Sequence, residues 1–399
     1  MPSRWPRVNW KEEGMRDGMQ IEDAGIPVED KVRLLDALSE TGLKTIVVGS
    51  FVSPRWTPQM AHVDEIVQRF HPRPGVTYTA LALNPRGVER AMQYSPPLTV
   101  EQDPYPRLTC HMCDVFVRRN ANRSQMQEME RWPDIVARAE SEGVKEVGIG
   151  AYACWGSNFL GPFPVDALMA LLEAEHRMWD EAGAKVVSVA LLDPMSFCVP
   201  HKVEETVRRI KERWPEITHF QFHLHNARNM ALPSIYAILR TLGPGDTLDL
   251  DGAIGGMGGC PYCGNGRATG MAPTEDVMHM LEEMGIETGV DLDRLIECVW
   301  MCEEIVGHPL YGHVSRAGPM PRRVEELYDV NMPFVETLEQ ARHFKLGPKA
   351  YEGGLSPYKG PITSPYRDRV ERGSPAYDPP DGLFPWQEGW FGGRGAISP

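Results

Sequence analysis

The sequence predicts an α/β fold, a (β/α)8 TIM barrel with an irregular Gly/Pro/aromatic-rich C-terminal extension, and three observations carry that expectation. Short β-branched runs alternate with longer amphipathic segments, the pattern of a parallel sheet covered by helices. The strand candidates number eight, as a barrel requires. After about residue 310 both patterns stop. The 399 residues hold one barrel of roughly 250 residues with chain to spare. A composition 42% hydrophobic and 24% charged is globular and argues against wholesale disorder, collagen or coiled coil.

In order along the chain, the first strand falls near Val8–Glu12 and the first helix over Val28–Glu40. Pro27 opens that helix, Gly42 closes it, and Val32, Leu35 and Leu38 are spaced to share its buried face. Strands near Thr45–Gly49, Thr77–Leu83, Leu108–Cys110 and Glu146–Gly150 follow, with helices over His62–Phe70, Arg86–Gln93 and Ser124–Ser141 between them. The helix Val165–Glu181 stops at Gly183 and leads to Lys185–Leu191. Helix Val203–Arg213, strand His219–His223, helix Met230–Thr241 and strand Thr247–Leu250 complete the set, and helices Thr274–Glu283 and Leu292–Val306 come after it. A doubly wound open sheet fits the same alternation; the count of eight favours the closed barrel. No repeat is visible at periods of 20–50 residues.

The expected division is a barrel over 1–310 and an extension over 311–399. From Ala341 onward Gly and Pro supply 19 of 59 residues, too many for regular elements. Tyr351, Trp386 and Trp390 are among the aromatics that punctuate it, and disordered chain is usually poor in aromatics. Irregular chain wrapped on the barrel or on a neighbouring subunit is therefore expected, rather than a loose linker.

The net charge of −14 repels phosphate backbones, and without a dense basic run no nucleic-acid partner is expected. No apolar stretch approaches the roughly 20 residues of a membrane span. The opening Met1-Pro2-Ser3-Arg4 lacks the apolar core of a secretory signal, so a cytoplasmic location is expected. Eight cysteines in this length do not make a disulfide scaffold. Neither a P-loop nor a dinucleotide fingerprint is present.

The sharpest chemical feature is His223-Leu224-His225 at the end of the seventh strand. Residues two apart on a strand share a face, so both imidazoles converge, and at a barrel's C-terminal rim they would meet where active sites lie. The plain alternative is a histidine pair hydrogen-bonded at a strand end. Asp17, after the first strand, supplies a carboxylate, and two histidines with one carboxylate leave coordination positions for substrate; otherwise Asp17 is a turn residue before Gly18. Arg16 is either the surface partner of Asp17 or a guanidinium aimed at an enolate or carboxylate. The glycine-rich run Gly255–Gly266 suits an active-site lid, and its Cys260 is a general acid or base or else an inert small residue. Of two C-x-x-C pairs, Cys110/Cys113 and Cys260/Cys263, the second offers an alternative closed zinc site with His223 and His225. The remaining cysteines read as ordinary buried thiols.

Gly14-Met15-Arg16-Asp17-Gly18-Met19-Gln20, Ser50-Phe51-Val52-Ser53-Pro54-Arg55-Trp56, His223-x-His225 and Gly258-Gly259-Cys260-Pro261-Tyr262 together resemble 3-hydroxy-3-methylglutaryl-CoA lyase. The resemblance runs over about 300 residues and implies a TIM barrel within a wider metal-dependent group of lyases, synthases and aldolases. It implies Asp17, His223 and His225 as metal ligands, Arg16 and Cys260 in catalysis, Asp193 as the acidic rim residue after strand six, and Gln20 as a polar neighbour of the site. Asn265 stands in for the family's asparagine ligand, because Met271 falls where simple alignment would place it. The lyase glutamate on strand two is replaced by Val47, and Arg228 is added where it could recognise a further carboxylate. The implied activity is carbon–carbon cleavage of a 3-hydroxy acid or 3-hydroxyacyl-CoA, with Mg²⁺ or Mn²⁺ as cofactor and Zn²⁺ or Co²⁺ as alternatives. A homodimer is a family expectation. A Claisen-type synthase and a non-catalytic metal-stabilised barrel are the rival readings.

Overall fold

Eight parallel strands make one sheet: β1 (Arg7–Glu12), β2 (Thr45–Ser50), β3 (Thr77–Leu81), β4 (Arg107–His111), β5 (Glu146–Tyr152), β6 (Lys185–Asp193), β7 (His219–Leu224) and β8 (Thr247–Gly252). The structure is a computed structural model that describes residues 4–82, 85–100, 105–264, 270–323 and 326. Most of the expected extension, 327–399, lies outside the described residues.

Neighbours in the sheet run β3-β2-β1-β8-β7-β6-β5-β4. The first strand pairs with the last in parallel from Arg7↔Thr247 to Glu12↔Gly252, which makes the sheet a TIM barrel and rules out the doubly wound arrangement. Among the described residues β3 and β4 share no ladder; a parallel bridge from Tyr78 to Leu98 occupies that edge of β3.

Each strand segment that the sequence singles out is a strand, and Val165–Glu181, Thr274–Glu283 and Leu292–Val306 are helices with the expected bounds. Two differences have local causes. The expected helix over 124–141 is two, Gln125–Met129 and Trp132–Ser141, because Pro133 near the start of the second has no N–H to continue the first. A short helix over Asp114–Ala121 was not anticipated; its N-cap is the Cys113 thiol, which accepts from Phe116 N and carries no ordinary capping signature. On the first helix Leu34, Leu35 and Leu38 are fully buried while Val32 is only half-buried.

On β7, Phe220 and Phe222 lie fully buried beneath the helices, so His219, Gln221 and His223 face the barrel interior. That interior is unusually polar for a fold whose barrel centre normally holds branched aliphatics. Arg107 donates to Gln221 Oε1 at 2.6 Å and to Ser188 Oγ at 3.0 Å, and Asp249 accepts from Asn9 Nδ2 at 2.7 Å and lies 2.6 Å from His219 Nε2. A cavity of about 970 Å³ runs among these groups from Lys44 and Arg107 up to Asp251.

Among the described residues, those up to 281 together with 286–312 form one compact unit, which holds the barrel, and 282–285 with 313–323 and 326 form a second. Within the second, Arg322 reaches Glu283 Oε1 at 2.8 Å. Among the described residues no helix is long and apolar enough to cross a membrane.

Candidate metal centre and active site

At the C-terminal end of β1 the chain makes one helical turn, Gly14–Gly18, which presents Arg16 and Asp17. Glu12 straps this turn to the loop after β8: its Oε1 accepts from Gly14 N (2.8 Å) and Ile254 N (3.0 Å), and its Oε2 from the Thr274 hydroxyl. Burial pushes the Glu12 carboxyl up to about 7 against these hydrogen bonds. Since its ordinary value of 4.5 applies once the chain unfolds, the stability it contributes is complete below that pH and is lost as pH rises through about 7. Urea unfolding should therefore give a lower midpoint at about pH 8 than at about pH 5.5, and Glu12→Gln should flatten that difference.

Asp17, His223 and His225 are all buried and bring their ligand atoms within 4.8 Å of one another. His223 Nε2 and His225 Nε2 lie 3.2 Å apart, and Asp17 Oδ1 is 3.9 Å from His225 Nε2. Two donors each about 2.1 Å from one cation and at right angles would sit about 3 Å apart, so this spacing fits ligation of a shared ion. Asp17 Oδ2 accepts from Arg16 (2.8 Å) and Gln20 Nε2 (3.0 Å), whereas the buried Oδ1 has no hydrogen-bond partner. A buried carboxylate oxygen without a donor is costly, and a cation at this point would satisfy it. Burial opposes ionisation of Asp17, but the Arg16 guanidinium and both imidazoles hold its carboxyl below the usual range.

Several groups that sequence reasoning missed hold this trio in place. Asp251 stands in register with His223 across β8 and β7, and its Oδ2 lies 3.1 Å from His223 Nδ1. That contact fixes the ring so that Nε2 turns to the cation position. Burial pulls the His223 imidazole down, yet Asp251 outweighs it and leaves the group above its usual value. The alternation Asp249-Leu250-Asp251, beside a histidine strand, was the available signal. Glu13 grips Arg16, Oε2 to Nε at 2.7 Å, with both side chains largely buried; its spacing of three residues from Arg16 was visible, but the segment read as loop.

The glycine loop after β8 comes very close to the trio. At Gly258, where φ is +112°, a Cβ would lie 3.1 Å from Asp17 Oδ1, which is why this position needs glycine. Gln20 Nε2 also donates to Gly259 O at 3.0 Å, and further along Asn158 Nδ2 donates to Cys263 O (2.8 Å) and Arg119 Nε to Tyr262 O (3.0 Å). The loop is thus pinned over the site at both ends of Cys260–Cys263, and Cys260 is half-buried there. Cys263 Sγ turns to Pro194 O at 3.3 Å, and among the described residues the cysteines do not join the imidazoles, so the closed zinc arrangement does not form.

Asp193 sits fully buried at the end of β6, but it is not drawn into the metal group. Its Oδ2 accepts from Cys198 N at 2.6 Å and shapes the loop that follows. Burial raises its carboxyl above the usual value, partly offset by backbone N–H groups of that loop. Arg228 donates to the carbonyls of Met195 and Ser196, both at 3.1 Å. Asn265 lies outside the described residues.

A family model described as HMGL-like matches residues 7–301. The chain belongs to the HMGL-like family. Its curated relatives include the hydroxymethylglutaryl-CoA lyase of Bacillus subtilis, 30% identical over 308 residues covering 76% of this chain and 95% of the relative. They also include the (R)-citramalyl-CoA lyase of Chloroflexus aurantiacus, 30% identical over 315 residues covering 76% and 93%. Among solved structures, an HMG-CoA lyase of A. baumannii in complex with coenzyme A and 3-methylmalate superposes with a TM-score of 0.63 at 25% identity, covering 81% of this chain and 98% of that one. This HMGL-like chain is accordingly an enzyme of the carbon–carbon lyase class, as the motif resemblance implied.

Proposed function

We propose that this HMGL-like chain is a divalent-metal-dependent lyase that cleaves a 3-hydroxyacyl-CoA, or the corresponding 3-hydroxy acid, between the hydroxyl-bearing carbon and the carbon next to the acyl carbonyl. The observation that carries this reading is the unpartnered Asp17 Oδ1 facing two imidazoles while Arg16 holds the other oxygen of the same carboxylate. Relatives named as lyases of hydroxyacyl-CoA substrates support the substrate class.

Asp17, His223 and His225 would hold the cation, and their mix of oxygen and nitrogen donors suits Mg²⁺ or Mn²⁺. When bound, such an ion lowers the pKa of a chelated substrate hydroxyl and fixes the hydroxyl beside its neighbouring carbonyl or carboxylate. Arg16, held by Glu13, presents fixed charge where negative charge grows as the bond breaks and the hydroxyl carbon becomes a carbonyl. Cys260 supplies the proton that the departing enolate takes up at carbon. His223, with Nδ1 on Asp251 and Nε2 turned to the trio, would serve as a ligand, and the proton that the substrate hydroxyl loses as its carbon becomes a carbonyl would pass to solvent. The pinned glycine loop excludes water from the enolate. Val47, where lyases carry an acid, makes the wall at β2 apolar and separates substrate handling from that of the ordinary lyase.

Metal analysis of the purified protein followed by a cleavage screen over 3-hydroxyacyl-CoA thioesters and free 3-hydroxy acids tests the proposal. The expected result is about one exchangeable divalent ion per chain and metal-dependent release of an acyl-CoA or acid together with a carbonyl product. Consumption of acyl-CoA with a ketoacid, and no cleavage of any 3-hydroxyacyl-CoA, would instead assign a synthase.

A further inference from the structure

We propose that Cys260 and Cys263 form an oxidative modification site, in which a peroxide joins the two sulfurs in a reversible disulfide within the glycine loop. Cys263 N donates to Cys260 O at 3.1 Å, so Cys260-Pro261-Tyr262-Cys263 is a hydrogen-bonded four-residue turn with proline where its fixed φ favours the bend. Such a turn keeps its end Cα atoms within about 7 Å, overlapping the range of about 4.4–6.8 Å that a disulfide needs. The side chains enter one apolar cluster: Cys263 belongs to it with Cys113, Phe116, Ala153 and Met195, and Cys260 packs against it.

Access separates Cys260 from every other thiol in the chain. Of the eight free cysteines, Cys260 is the only one that is not buried. The second C-x-x-C pair has both sulfurs buried, with Cys113 capping a helix and Cys110 turned to backbone carbonyls. A peroxide therefore meets Cys260 first. The Cys260 sulfur attacks the peroxide, the O–O bond breaks, and the peroxide leaves reduced as water or an alcohol, with Cys260 as a sulfenic acid. The Cys263 sulfur then attacks the Cys260 sulfur, the S–O bond breaks, and water leaves as the S–S bond forms. A dithiol reverses the change by exchange.

The bond itself stands independently of the lyase reading. Its consequence rests on that reading: a disulfide removes the Cys260 thiol proton, so turnover stops until reduction.

Peptide mass spectrometry of the full-length protein after hydrogen peroxide treatment tests the proposal. The expected result is a loop peptide lighter by two hydrogens, loss of two thiols from the eight, and restoration by dithiothreitol. Cleavage activity should fall and return in parallel. Cys263→Ser, and Cys263→Ala as a second variant against local misfolding, should keep the activity of the reduced enzyme and gain oxygen at Cys260 without a loop disulfide. A wild-type loop peptide that also gains oxygen, or that stays reduced while buried thiols react, overturns the proposal. A loop disulfide that forms while cleavage continues undiminished overturns its consequence for turnover. If the disulfide forms and reverses but no hydroxyacyl substrate is ever cleaved, the lyase reading fails and the modification site stands.

Discussion

Asp17→Asn is expected to weaken Mn²⁺ binding by more than about a hundredfold and to reduce cleavage to background, whereas Asp251→Asn should lose only about 10–100-fold in affinity, the usual range for a group acting behind a ligand. The asymmetry follows from what each oxygen of Asp17 does. Oδ2 accepts from Arg16 and Gln20, and Oδ1 faces the imidazoles with no donor. An asparagine has one accepting end and one donating end. Turned one way it sets an N–H₂ against the cation; turned the other it sets that group against Arg16 and Gln20. Either orientation also removes the negative charge that balances a divalent ion. Titration calorimetry with Mn²⁺ on the wild type, Asp17→Asn, His223→Ala and Asp251→Asn measures the order. Binding left intact in both Asp17→Asn and His223→Ala would remove the site on which the proposed function depends.

The clustering of Asp17, His223 and His225 was legible because each part obeys a short-range rule. A period of two puts His223 and His225 on one face, and a barrel brings the ends of β1 and β7 to either side of β8. The strands were legible for the same reason, since each is a short apolar run bounded by turn residues. What was not legible depends on pairing across space. Asp251 matters because it stands in register with His223, a relation fixed only once β7 and β8 are neighbours. Glu12 lies one residue before Glu13, yet it straps the loop after β8 while Glu13 holds Arg16. The backbone turn at Gly14 decides that difference, and neither charge nor hydropathy records it. Asp193, which its position after β6 suggested as a rim acid, is buried there with Oδ2 accepting from Cys198 N and Oδ1 without a hydrogen-bond partner.

Arg16→Lys should lower kcat by about 10²–10³-fold, the cost of losing one preorganised donor to a developing oxyanion, while Mn²⁺ affinity stays within a few fold of wild type. Lysine keeps the charge but loses the planar fork that lets Arg16 bond Glu13 through Nε and Asp17 through a terminal nitrogen at once. Glu13 should matter through this geometry alone. Glu13→Gln keeps an acceptor oxygen for Nε and should lower kcat about tenfold with little change in KM, whereas Glu13→Ala leaves a largely buried guanidinium short of a partner and should approach the loss seen for Arg16→Lys. Thermal unfolding of each variant separates misplacement from loss of fold, since Glu13→Gln should melt close to wild type while its kcat falls. The acid expected on β2 is absent at Val47, and Glu13, just after β1, holds the arginine. Equal kcat in wild type and Glu13→Ala would show that Arg16 needs no such partner.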